Sequence, residues 1–216
     1  GLCVLCGWHR PSKRMSTLKG KVAVITGGSR GIGRVTSEMF AHEGATLAIC
    51  GRTEATLEAA AAELKKAYGR DVLWQRADIL DTASVNAFIS HVGQKFGRID
   101  MLINNAGESS QRDVNGINWP VNAVDAVMQP LPKGRFEAIT DDEWRDALEQ
   151  KVLGMIRVTR AALPYMRKAG GSIVNVTSIK GRQPPPRVVT SGVAWAAAMN
   201  FSKGLSLELA GDNIRV

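Results

Sequence analysis

Short, nearly unbroken apolar runs alternate along this chain with longer stretches in which apolar residues recur every three or four positions. The runs Val22–Thr26, Thr46–Cys50, Asp71–Ala77, Met101–Asn104 and Ser172–Thr177 read as strands, and a last one begins near Ile214. Continuous apolar character is what parallel strands covered on both faces require. Helical spacing holds at Arg34–Glu43, Glu54–Tyr68, Thr82–Phe96, Asp141–Lys168 and roughly Gly192–Ala210. Thr140-Asp-Asp-Glu143 forms a capping box at the head of the fourth helix, and Leu148, Val152, Met155, Ile156 and Thr159 follow on one stripe. Ala198, Phe201, Leu205 and Leu209 do the same in the fifth. Strict strand–helix alternation predicts right-handed crossovers. The expected fold is therefore α/β: a Rossmann-like doubly wound parallel sheet in three layers, with its ligand across the strands' carboxyl ends.

Three stretches break the rhythm. Residues 1–14 precede Met15 and read as a non-native or upstream head, leaving 15–216 as a single domain. Glu108–Phe136 carries Gly116, Pro120, Pro130, Pro132 and Gly134, which disfavour regular structure, and reads as a long insertion. Trp119, Val121, Val124 and Val127 hint at local packing within it. At the other end, Asn213-Ile-Arg-Val216 stops as if inside a strand, so a C-terminally truncated domain with an uncovered edge is expected.

Composition narrows the function classes. At 216 residues with 44% hydrophobic and 22% charged positions, the chain suits one globular domain with a sizeable core. No apolar run approaches a membrane span, so a cytoplasmic protein without a membrane partner is expected. The formal charge is +8, and removing Arg10, Lys13 and Arg14 of the head leaves +5. Basic residues are dispersed rather than striped, which argues against nucleic acid as a partner. Cys3, Cys6 and His9 offer an incomplete ligand set for a tetrahedral metal, so no metal site is expected; Cys50 reads as a reduced core thiol.

Chemistry enters where the first strand meets Thr26-Gly-Gly-Ser-Arg-Gly-Ile-Gly33. Strand, glycine turn and helix in that order form a dinucleotide-binding turn, because glycine lets the backbone approach a phosphate and the helix aims free N–H groups at it. Three more segments stand at sensible distances: Ala77-Asp78-Ile79, Asn104-Asn105-Ala106-Gly107 and Gly171-Ser-Ile-Val-Asn-Val-Thr-Ser178. Together the four resemble the short-chain dehydrogenase/reductase family, from about Leu18 to Val216. The resemblance implies that Thr26, Gly27, Ser29, Gly31, Ile32 and Gly33 hold the pyrophosphate and pack the first helix. It implies that Asp78 accepts from the adenine amino group. Asn104, Ala106 and Gly107 are expected to line the cofactor's sugar and tie the central strands together. It also implies a homodimer or homotetramer through the two long helices; covering the sheet alone is the alternative.

The end of the second strand selects the dinucleotide. A carboxylate there would repel a 2′-phosphate, but this chain has Gly51 followed by Arg52, and Arg30 lies inside the glycine turn. Two arginines favour NADP(H) over NAD(H) through forked, charge-assisted bonds.

The catalytic half departs from the family pattern of Asn, Ser, Tyr and Lys. Ser178 fits the serine position. Thirteen residues on stands Ser191 rather than tyrosine, four further is Trp195 rather than lysine, and Lys151 occupies the asparagine position. Two readings stay open. In one, Ser178, Lys151 and Ser191 form an altered catalytic set acting on a small-molecule carbonyl or alcohol, with Lys151 supplying charge or a proton. In the other, the fold binds NADP(H) as a sensor or partner subunit without turning over. Lys151 as a surface lysine, and Arg182 and Arg187 as greeters of an anionic substrate or merely solvated, are open as well.

Overall fold

A computed structural model describes residues 17–107, 136–184 and 188–216 of the chain. Cys3, Cys6, His9, Arg187 and all of the expected insertion except Phe136 lie outside the described residues. Six strands form one parallel sheet: β1 (Val22–Thr26), β2 (Thr46–Gly51), β3 (Val72–Arg76), β4 (Met101–Asn104), β5 (Gly171–Asn175) and β6 (Ile214–Arg215). Their spatial order is β3-β2-β1-β4-β5-β6, so the direction of winding reverses beside β1. Register is set by pairs such as Val24 with Ala48 and with Leu102, and Ile103 with Val174.

Alternation explains why the strands are apolar throughout. Successive side chains point to opposite faces. Val22 and Val24 enter one core with Ala48, Leu102 and Ile173, while Ala23 and Ile25 enter the other with Leu47, Ile49 and Ile103. Helices α1 (Gly31–His42) and α2 (Glu54–Tyr68) supply Ala41, Leu57, Ala60 and Leu64 to the second core. Helix α3 (Thr82–Phe96) supplies Phe88, Ile89 and Val92 to the first. Among the described residues, no helix is long and apolar enough to cross a membrane.

The expected helix Asp141–Lys168 is divided. Helix α4 (Asp141–Leu148) opens with the capping box, Thr140 Oγ1 accepting from the Glu143 amide and the Glu143 carboxylate accepting from the Thr140 amide at 2.8 Å. A π-turn follows at Glu149–Leu153, and α5 (Gly154–Met166) completes the rod. Helix α6 (Val189–Glu208) begins three residues earlier than its apolar spacing suggests. At the base of the sheet, Asp100 is almost fully buried and ties β1 to β4. Its carboxylate accepts from the Val22 amide at 2.9 Å and Lys21 Nζ at 3.1 Å, and pairs with Arg98. Burial pushes this carboxyl up, but Arg98, the Val22 amide and Lys21 outweigh it and hold it below the ordinary value.

Candidate functional site

The carboxyl ends of β1, β2, β3 and β4 open onto a cavity of about 240 Å³. Gly27, Ser29 and Arg30 form one wall, Gly51 and Arg52 another, and Asp78 a third. Asn105, Ala106, Gly107 and Gln150 close the side toward α4 and α5. This is the topological switch, where β1 sits between strands wound in opposite directions.

Whether a dinucleotide fits can be judged from the start of α1. Arg30 occupies its N-cap without a capping side chain, and no acidic residue stands in the first turn. The first amides of such a helix lack intrahelical acceptors, and its dipole favours an anion there. Gly31 has φ +53°, and an added Cβ would meet nothing within 4 Å, so the backbone faces open space. Gly27, at φ +67°, is held close by the next turn: a Cβ would lie 2.9 Å from Asn105 Nδ2. Arg30 and Arg52 are exposed on the rim; beside them the half-buried Ser29 hydroxyl lies 3.3 Å from Thr56 Oγ1, which donates to the Thr53 carbonyl at 2.9 Å. Exposed amides, two cations and the Ser29 hydroxyl suit a phosphorylated ligand.

The remaining glycine-turn residues act behind the cavity. Thr26 was expected at the pyrophosphate, but its hydroxyl is buried and consumed by accepting from the Asn105 and Ala106 amides at 3.0 and 2.9 Å. It holds the β4 exit and is not among the described residues that line the cavity. Gly33 packs so tightly that a Cβ would lie 2.2 Å from the Gly27 carbonyl oxygen. Ile32 points outward, 64% exposed. Ser37, which sequence reasoning missed, is fully buried in α1 and approaches the Gly28 and Gly33 carbonyls at 3.2 and 2.9 Å, clamping the turn.

Asn104, expected at the cofactor's sugar, is likewise not among the described residues that line the cavity. Its Nδ2 donates to Thr159 Oγ1 at 3.0 Å and Asn175 Oδ1 at 2.8 Å; Asn175 Nδ2 then donates to Ser202 Oγ, which donates to the Ala198 carbonyl. This chain ties β4 and β5 to α5 and α6, the strand-tying half of the expectation. Its neighbour Asn105 lines the cavity instead, with Nδ2 donating to the Thr26 carbonyl at 3.0 Å. Asp78 lines the cavity while its Oδ1 accepts from the Leu80 amide at 3.0 Å. The adjacent Asp81 is the cap of α3. Cys50 reaches the cavity wall as a buried thiol pushed up to about 12 by desolvation, too high for a reactive thiolate.

The predicted catalytic residues stand on three other elements. Ser178 is half-buried and caps a short 3₁₀ turn, Ile179–Gly181, its Oγ accepting from the Lys180 amide at 3.3 Å. Gly181 presses that turn onto α6, where a Cβ would lie 2.8 Å from backbone atoms of Trp195 and Ala196. Ser191 is 3% exposed in the first turns of α6. Lys151 is 1% exposed within the π-turn, which rules out a solvated surface lysine. Gly107 joins the two halves: a Cβ there would lie 3.7 Å from the Gln150 carbonyl oxygen and 3.9 Å from the Trp195 ring. Ser178, Lys151 and Ser191 are not among the described residues that line the cavity. No group of three metal-ligating side chains occurs among the described residues.

Comparison with known proteins agrees with this geometry. The short chain dehydrogenase family profile matches residues 21–216. A 3-oxoacyl-[acyl-carrier-protein] reductase of Thermotoga maritima is 31% identical over 92% of this chain and 72% of its own length. The L-sorbose reductase of Gluconobacter frateurii, solved with NADPH and L-sorbose, superposes with a TM-score of 0.76 at 35% identity, covering 94% of this chain and 69% of that one. An NADPH-bound short chain oxidoreductase of Pseudomonas aeruginosa PAO1, described as containing an atypical catalytic center, gives a TM-score of 0.79 at 31% identity over 92% and 70%.

Proposed function

The chain belongs to the short-chain dehydrogenase family, and we propose that it is an NADP(H)-dependent oxidoreductase interconverting a small-molecule carbonyl and alcohol with an altered catalytic set. The observation that carries the cofactor choice is the pair Arg30 and Arg52 on one cavity rim, with Gly51 where an NAD-selecting carboxylate would stand. Two similar structures hold NADPH, whereas a xylitol dehydrogenase of like fold holds NAD+. The fold alone therefore leaves the choice to these side chains.

The uncapped α1 terminus holds the pyrophosphate side, Arg30, Arg52 and the Ser29 hydroxyl hold the 2′-phosphate, and Asp78 Oδ2 orients the base. The bound nicotinamide supplies or takes up hydride. Ser178 Oγ hydrogen-bonds the substrate oxygen and steadies its developing charge. Lys151, buried in the π-turn, supplies positive charge or a proton toward the same oxygen, and Ser191 relays it. The similarity to an oxidoreductase with an atypical catalytic center supports an active site built differently from the family pattern.

Titration of NADPH and NADH by fluorescence tests the reading. Saturable binding with NADPH preferred is expected, and Arg52→Ala should weaken NADPH roughly tenfold, the size of one partly solvated charge-assisted bond, while leaving NADH unchanged. Equal affinity for the two dinucleotides would sink the assignment. One observation favours a second reading, binding without turnover: Ser178, Lys151 and Ser191 stand apart from the cavity's described lining. Tight NADPH binding with no oxidation by a panel of ketones, aldehydes and quinones would decide for it.

A further inference from the structure

We propose that the Gln150 side-chain amide is an additional cofactor contact, its Oε1 accepting a hydrogen bond from the exocyclic amino group of the adenine; the assignment rests on reading the cavity as a dinucleotide site. Gln150 lies in the π-turn, where the backbone departs from α-helical register, and it lines the cavity. Such bulges redirect side chains and recur at functional sites. Its Nε2 donates to Asp146 Oδ2 at 3.0 Å, one turn earlier. A carboxylate can only accept, so this bond fixes which end of the amide faces Asp146 and turns Oε1 the other way.

That oxygen is buried and has no hydrogen-bond partner among the described residues. A dehydrated amide oxygen without a donor is unfavourable, and a ligand bringing an N–H relieves the deficit. An acceptor at this place disfavours phosphate, which has no hydrogen to offer at neutral pH, and selects a donor-bearing part of the dinucleotide. Packing indicates which part. Ile79 lies so close to Gly154, four residues beyond Gln150, that a Cβ there would be 2.7 Å from its Cδ1. Gln150 itself lines the cavity together with Asp78, Ile79 and Leu80 of the 78–80 loop. An exocyclic amino group carries two hydrogens, one for Asp78 Oδ2 and one for Gln150 Oε1.

The test measures dissociation constants of NADPH and of its hypoxanthine analogue, in which a carbonyl oxygen replaces the amino group. Wild type, Gln150→Leu and Gln150→Glu are compared, with thermal melts showing that each variant is folded. Wild type should bind the analogue roughly tenfold more weakly. Gln150→Leu should lose roughly five- to tenfold in NADPH affinity and the Gln150 share of the discrimination, leaving only that due to Asp78. Gln150→Glu, which loses the Nε2 donor and sets a second carboxylate against Asp146, should lose that share of the discrimination in the same way. Full discrimination in Gln150→Leu would assign the amino group to Asp78 alone and overturn the proposal. Absence of saturable NADPH binding in wild type would overturn the dinucleotide reading and this contact together.

Discussion

Adding one methyl group at Gly33 should destabilise the protein and disable its phosphate turn together. The new Cβ would lie 2.2 Å from the Gly27 carbonyl oxygen and 2.5 Å from Asn105 Nδ2. The first distance falls 1.2 Å short of the 3.4 Å at which contact becomes ordinary, and the obstacle is backbone, which cannot rotate away. Relieving it drives the turn off α1 and pulls Asn105 from the Thr26 carbonyl it holds at 3.0 Å. Overpacking of this kind costs about 1–3 kcal/mol, and the strained hydrogen bond adds about 0.5–1.5 kcal/mol. Alanine's better helix propensity returns about 1 kcal/mol, leaving a net loss of about 2 kcal/mol. Gly31→Ala is the control. Its Cβ would meet no protein atom within 4 Å but must adopt φ +53°, costing about 1–2 kcal/mol. Denaturant midpoints and NADPH titration on both variants separate the effects. Gly33→Ala should lose stability and affinity through its displaced turn. Gly31→Ala should lose affinity out of proportion to stability, because its methyl enters the space where the ligand backbone sits. A Gly33→Ala protein with the wild-type midpoint and wild-type NADPH affinity would refute the packing argument.

The Asp100 carboxyl lies below its ordinary value in the folded chain, so its contribution is fully present above the unfolded-state value and is lost as pH falls through the lowered one. Asp100→Asn keeps an acceptor for Val22 but loses both cations. With Lys21 and Arg98 side chains 49% and 39% exposed, it should cost about 1–2 kcal/mol near neutrality, a difference that shrinks in acid melts. Lys151→Met should abolish turnover or cofactor binding far more than Lys203→Met on the exposed face of α6, as steady-state rates and NADPH titration will show; equal effects would return Lys151 to a packing role. Ser178→Ala should slow hydride transfer on the order of 10²-fold while leaving NADPH affinity nearly intact, measured by single-turnover loss of NADPH absorbance.

Much of the architecture was legible from local pattern. Continuous apolar runs such as Val22–Ile25 mark strands buried on both faces, and the two cores receive alternate residues of them. Thr140 and Glu143 cap α4 with the bonds their spacing implies, because both partners lie within one turn. Gly27, Ser29, Arg30, Arg52, Asp78, Ala106 and Gly107 reach the cavity because each ends a strand or opens a loop at the same edge of the sheet. Adjacent residues with similar chemistry were another matter. Asn104 and Asn105 differ in role because one points beneath the sheet to Thr159, 55 positions away, and the other across to Thr26, 79 positions away. The π-turn, the burial of Lys151 and the place of Gln150 in the cavity lining depend on how α4 and α5 lie against the 78–80 loop and α6. Hydrophobic period fixes which face of an element is buried. The partner that a buried polar group finds there is set by distant chain segments, and only the folded packing brings those segments together.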